Sequence, residues 1–218
     1  MSKSAMTQIA DVQVGPEKLP GVLSVPEDAQ GIVLFAHGSG SSRFSARNQR
    51  VAQSLQECGI ATLLFDLLHE AEARIRRLVF DVPLLALRLR DAEWWVERQA
   101  ALRHLPLGFF GASTGAAAAL VAAALDGSHV QAVVSRGGRP DLAKGHLRNV
   151  TAPTLLIVGG DDDAVLALNR KAYDELQCVK ALEIVPGATH LFAEPGAMDQ
   201  VSHLACDWFE RQLAAPQF

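Results

Sequence analysis

The chain is short of cysteine, of long apolar runs and of excess charge of either sign, and each shortage removes a class of protein. Its 218 residues include three cysteines, Cys58, Cys178 and Cys206. They are widely spaced and odd in number, so neither zinc-type pairs nor a secreted disulfide framework is expected, and a reducing cytoplasm fits best. No uninterrupted apolar stretch approaches the roughly 20 residues that span a bilayer. The polar segment from Met1 to Asp11 also lacks a signal-peptide core, so a soluble, cytoplasmic protein without a membrane partner is expected. Twenty Lys and Arg stand against 24 Asp and Glu, a net charge of -4. No basic stripe is present of the kind that displaces counterions from phosphates, so nucleic acid is not expected as a partner. No Pro/Ser-rich linker and no internal repeat divides the chain, and residues 1–218 are read as one domain. Oligomeric state is not set by any of these features.

What is present is an alternation of two patterns. Continuous apolar runs at Gly31 to Ala36, Ile60 to Phe65, Leu107 to Phe110, Val130 to Val134 and Thr154 to Val158 read as strands buried on both faces. Between them, helical spacing covers Gln49 to Cys58, Pro83 to Arg103, Ala116 to Leu125 and Val165 to Leu176. Strand and helix in alternation predict an α/β fold with a doubly wound, mostly parallel sheet and helices on both faces. Val12 to Val14 and Gly21 to Val25 predict a short antiparallel N-terminal edge, and Ala181 to Val185 a last strand. The stretch from Ala197 to Ala214 predicts a final helix with Trp208 in its packed face. The Trp94-Trp95 pair is expected to pack against the core.

Chemistry is expected beyond the carboxyl ends of such strands. After Leu107 to Phe110 comes Gly111-Ala112-Ser113-Thr114-Gly115 and then an alanine-rich helix. In this Gly-x-Ser-x-Gly turn the serine sits at a tight strand-to-helix bend. Small residues two before and two after let the neighbouring backbone pass, and the hydroxyl is pushed into the open. Helix amides beside Ser113 offer donors to a developing oxyanion. A serine hydroxyl is un-ionised at neutral pH and needs a base. Of seven histidines, His190 follows the terminal strand in Gly187-Ala188-Thr189-His190 and is the candidate. An orienting carboxylate is offered by Asp161, Asp162 and Asp163, which follow Thr154 to Val158; Asp162 is the choice, with its neighbours as alternatives or helix caps.

Three further segments emerge at strand ends. Gly38-Ser39-Gly40 resembles a nucleotide loop, but Arg43 stands where G-x-G-x-x-G needs its third glycine and no Gly-Lys-Ser/Thr follows. The charged span from Leu67 to Val82 is read as a solvated helix laced by Glu70 with Arg74 and Glu72 with Arg76, with a small flap as the alternative. Arg136, after Val130 to Val134, is placed either to steer an acidic substrate or to pair with an aspartate.

His37-Gly38, Gly111-Ala112-Ser113-Thr114-Gly115, Gly159-x-x-Asp162-x-x-Val165 and Gly187-Ala188-Thr189-His190 together resemble the α/β-hydrolases, and more narrowly their small, lidless dienelactone hydrolase-like group. The order Ser, Asp, His matches that fold. The resemblance spans nearly the whole chain and implies an α/β-hydrolase fold without a cap domain. It implies a Ser113, Asp162, His190 triad and an oxyanion hole from the backbone amides of Thr114 and Ser39, with Gly38 or Gly40 as alternatives to Ser39. His37 would shape that turn or border the substrate. Dienelactone hydrolases resemble one another in using cysteine where this chain has Ser113, which weakens any expectation of dienelactone as substrate. The reaction expected is hydrolysis of small ester-type substrates through an acyl-enzyme, without metal or organic cofactor. Thioesters or small peptides would suit the same residues, and a non-catalytic binding protein of the same fold is the rival of another class.

Overall fold

In the computed structural model, residues 7–214 are described, and most of the polar stretch from Met1 to Asp11 lies outside them. The chain opens with an antiparallel pair, β1 (Thr7–Val14) and β2 (Leu19–Pro26), longer than the apolar residues alone indicate. It continues through β3 (Gly31–Ala36), α1 (Ala46–Glu57), β4 (Ile60–Phe65), α2 (Glu70–Ala73), α3 (Arg76–Val79) and α4 (Val82–Glu97). Then follow β5 (Leu107–Ala112), α5 (Thr114–Ala124), β6 (Ala132–Arg136), β7 (Thr154–Gly159), α6 (Asp163–Glu175), β8 (Lys180–Val185) and α7 (Ala197–Leu213), with two short 3-10 turns between β6 and β7.

The strands form one eight-stranded sheet in the order β1-β2-β4-β3-β5-β6-β7-β8, parallel from β4 through β8 and antiparallel at β1 and β2. Strands β3 to β7 are buried along their whole length, as their unbroken apolar runs require. Helices α1 and α7 cover one face through Val51, Leu55, Val201 and Phe209; α4 and α5 cover the other through Leu85, Leu89 and Leu120. Because α1 leaves β3 on one face and α5 leaves β5 on the other, the crevice between the carboxyl ends of β3 and β5 is a topological switch point, where parallel sheets bind ligands.

Helix α5 explains the alanine-rich run. Ten of its eleven residues are buried, so side chains larger than methyl on most faces would hold α4 and the sheet apart. At α4, Asp81 caps the start by accepting the Leu84 N–H at 3.1 Å. The helix ends at Glu97, short of the predicted Arg103, because the chain turns back through i to i-3 bonds at Gln99 and Leu102 to reach Pro106. Strands β5 and β6 run further than predicted, pairing Ala112 with Arg136 beyond the last apolar residue. Trp208 is buried, and Trp95 packs against the core. Trp94 instead faces solvent, its ring under the Arg90 guanidinium. The span from Leu67 to Val82 forms two short helices, not one. Glu70 pairs with Arg74, but Glu72 accepts the His69 N–H and pairs with Arg88, not Arg76. Among the described residues, no helix is long and apolar enough to cross a membrane.

Candidate active site

Ser113 joins β5 to α5 with φ 52° and ψ -118°, a region that costs a non-glycine residue about 1–3 kcal/mol. The surroundings enforce it. Its N–H donates to the Arg136 carbonyl at 3.2 Å, and its own carbonyl accepts from Arg139 and Ala116, each at 3.1 Å. The flanking glycines are required by close approach: a Cβ on Gly115 would lie 2.1 Å from the Ala36 carbonyl oxygen, and one on Gly111 would lie 2.4 Å from the Ala116 Cα. The small residues of the motif therefore let the elbow press against the end of β3.

The β7 and β8 ends meet by a similar device. A Cβ on Gly159 would lie 2.3 Å from the Ala188 carbonyl oxygen, so the glycine brings the loop of three aspartates against the loop that carries His190. Asp161 and Asp163 point to solvent. The Asp162 side chain is only 14% exposed, and its Oδ2 lies 2.7 Å from His190 Nδ1. A carboxylate there fixes the proton on Nδ1 and leaves Nε2 as the ring's free acceptor. The loop is clamped from the other side, where Glu194 accepts both the Thr189 N–H and hydroxyl. Ser113 and His190 border the same cavity of about 260 Å³, without a hydrogen bond between them among the described residues.

The β3 end supplies the facing wall. The Ser39 N–H donates to Thr114 Oγ1 at 2.8 Å, and Thr114 is buried. This contact ties the loop after β3 to the residue after Ser113. The sequence points only to the Thr114 amide; the hydroxyl at the head of an alanine helix is the local signal of this second role. His37 Nε2 accepts the Leu67 N–H at 3.1 Å, so Nδ1 must carry the proton and face the Gly38 carbonyl oxygen at 3.0 Å. Burial lowers the His37 pKa below the usual imidazole value. It is a neutral brace between the β3 and β4 ends. Arg43 and Asp66 form a second brace there, with the Arg43 N–H 2.7 Å from Asp66 Oδ1. Beyond this loop lies a cavity of about 690 Å³ walled in part by Leu67, Leu68, Val79 and Leu85, so the span expected to be a helix or a flap borders a cavity beside Ser39. Arg136 is buried on the Ser113 side, and no aspartate pairs with it among the described residues.

Glu93, Glu97 and His129 bring potential metal ligands within 4.8 Å of one another. They lie before β6, at the opposite end of the sheet from Ser113, and the Glu93 carboxylate already accepts from Arg90 and from the His129 N–H.

Residues 29–213 match the family described as alpha/beta hydrolase domain. The chain belongs to this family. Its dienelactone hydrolase-like character is shown by a crystal structure of dienelactone hydrolase from Anabaena variabilis, 54% identical, with a TM-score of 0.91 over 96% of this chain and 99% of that one. Est1E from Butyrivibrio proteoclasticus shares the fold at 15% identity, with a TM-score of 0.79 over 95% of this chain and 99% of that one. A curated protein of Mycobacterium tuberculosis strain H37Rv, provisionally named phosphoribosyl transferase, is 58% identical over 208 residues, 94% of this chain and 47% of its own length. The chain thus spans about half the length of the curated relatives it matches.

Proposed function

We propose that this chain is a serine hydrolase of small carboxylic esters, with Ser113 as nucleophile, His190 as general base and acid, and Asp162 as the group that orients His190. The supporting observation is the 2.7 Å contact of Asp162 with His190 Nδ1, beside a serine held at positive φ on the same cavity. His190 Nε2 takes the Ser113 proton as Oγ adds to the ester carbonyl carbon. Asp162 stabilises the imidazolium that forms. Charge then gathers on the carbonyl oxygen. The Thr114 amide, at the head of α5, meets it, and the Ser39 amide exchanges the neutral Thr114 hydroxyl for this stronger, anionic acceptor. His190 returns the proton to the departing alkoxide. Water, activated by the same ring, then releases the acid and restores Ser113. No step calls on a metal or cofactor.

His37 borders the larger cavity with both ring nitrogens occupied, which suits a wall and not a proton carrier. Arg136 is assigned to substrate binding. The transferase name attaches to proteins about twice this length, of which this chain spans 47%, and the hydrolase reading is proposed for that part alone. A fluorophosphonate probe tests the reading: wild type is expected to label on Ser113, with labelling abolished in Ser113→Ala and strongly slowed in His190→Ala. A folded wild type that neither labels nor turns over any ester refutes it.

A further inference from the structure

Arg136 ends β6 and is 7% exposed, yet its guanidinium has almost nothing to bind. Among the described residues, Nη1 reaches only the Met198 sulfur, at 3.9 Å, and Nε has no partner. The Phe192 ring centre lies 5.9 Å from Cζ. Its charged neighbour is another cation: Arg47, on α1, borders the same 260 Å³ cavity and also has an unpartnered buried Nε. The other buried or half-buried arginines behave differently. Arg43, Arg88 and Arg90 each meet a carboxylate.

Burial, and then the charge of Arg47, lower the Arg136 pKa to about 10, so the group still carries its charge at neutral pH. A buried charge without a counterion is unfavourable because its lost hydration is not repaid, and a second cation on the same cavity adds repulsion. A retained pair of this kind is satisfied when a ligand brings the opposite charge. The planar guanidinium fork matches carboxylate and phosphate oxygens in particular.

We propose that the cavity beside Ser113 is an anion subsite, in which Arg136 and Arg47 bind a carboxylate or phosphate carried by the ester substrate. This rests on the hydrolase reading and adds to it the substrate's charge. The cavity of about 260 Å³ takes the anionic end and a few carbons. The larger, apolar-walled cavity on the far side of the Gly38–Ser41 loop takes the remainder.

The test compares matched esters: 4-nitrophenyl hemisuccinate with 4-nitrophenyl butyrate for an anion on the acyl side, and 3-acetoxybenzoate with phenyl acetate for one on the alcohol side. Phosphate is tested as inorganic phosphate competing with 4-nitrophenyl butyrate. In wild type, at least one anionic ester is expected to exceed its neutral partner about tenfold or more in kcat/KM, or phosphate is expected to compete. That ratio, or that competition, collapses in Arg136→Met and in Arg47→Gln, the latter a half-buried site that keeps the test alive if the former does not fold. The ratio reads the subsite whatever happens to absolute rates. Turnover of neutral esters with no anionic preference and no phosphate competition overturns the subsite and leaves the hydrolase reading standing. Absence of all ester turnover overturns the hydrolase reading. The subsite is then decided by calorimetric titration of monomethyl glutarate and of phosphate: tenfold weaker binding in the arginine variants supports it, and no binding to wild type refutes it.

Discussion

Replacing Asp162 by Asn keeps size and shape and removes one charge, so its effect can be worked from the contact with His190. During attack on the ester the ring becomes an imidazolium facing a carboxylate across 2.7 Å. With charge centres roughly 4 Å apart and an effective dielectric constant of about 20, the attraction is about 4 kcal/mol, or about three decades of rate. The ring is 39% exposed, so solvent screening trims this figure. Loss of the enforced tautomer acts in the opposite direction, since Asn can present its amide hydrogens to Nδ1 and leave the proton on the wrong nitrogen. A fall of about 10³-fold in kcat for 4-nitrophenyl acetate near neutral pH is expected, while the urea unfolding midpoint moves little. Asp161→Asn and Asp163→Asn are expected to stay within about twofold, because both side chains face solvent and surface changes of this kind are nearly neutral. If Asp162→Asn keeps activity within about tenfold of wild type, or a neighbouring variant loses as much, the orienting role given to Asp162 is wrong.

Two other perturbations probe the frame around the site. Gly115→Ala would place a Cβ 2.1 Å from one backbone carbonyl oxygen and 2.5 Å from the next, pushing the elbow from the β3 end. A loss of about 1–3 kcal/mol in urea unfolding and of about 10²-fold in kcat is expected, and an unperturbed variant would show that the close approach is not required. His37 is held neutral and its pKa is lowered by burial, so below the ordinary imidazole value the unfolded chain takes up a proton that the folded one refuses. Its contribution to stability is complete above about pH 6.5 and is lost as pH falls through the lowered folded value. Urea midpoints measured down that range are expected to fall less steeply in His37→Gln than in wild type; parallel slopes would contradict the neutral-brace assignment.

Much of this architecture is legible in the chain because two-faced burial leaves unbroken apolar runs, as in Ile32 to Ala36, and because close backbone approach admits only glycine, as at Gly115. The strand ends are less legible. Arg136 remains in the sheet by pairing with Ala112, whereas an apolar run stops at Val134. Three consecutive aspartates look alike in composition; the resemblance singles out Asp162 by its spacing from Gly159, and the seating of Gly159 against Ala188 brings that loop to His190. The contact from Ser39 to Thr114 Oγ1 bridges 75 positions, so no local pattern announces it. Arg47 carries no motif either, since its proposed role rests on its place beside Arg136 on one cavity and on meeting no carboxylate among the described residues. Trp94 shows that an aromatic on a helix is not thereby a core residue, because its place is fixed by the helix face that α4 presents.

The proposed chemistry requires that Ser113 become acylated. Rapid mixing of wild type with excess 4-nitrophenyl acetate, followed by acid quench and mass analysis of peptides, tests it directly. A burst of nitrophenol and an acetyl group on the peptide containing Ser113 are expected, both lost in Ser113→Ala. Ester turnover that persists in Ser113→Ala, or acetyl carried on another residue with Ser113 unmodified, would contradict it.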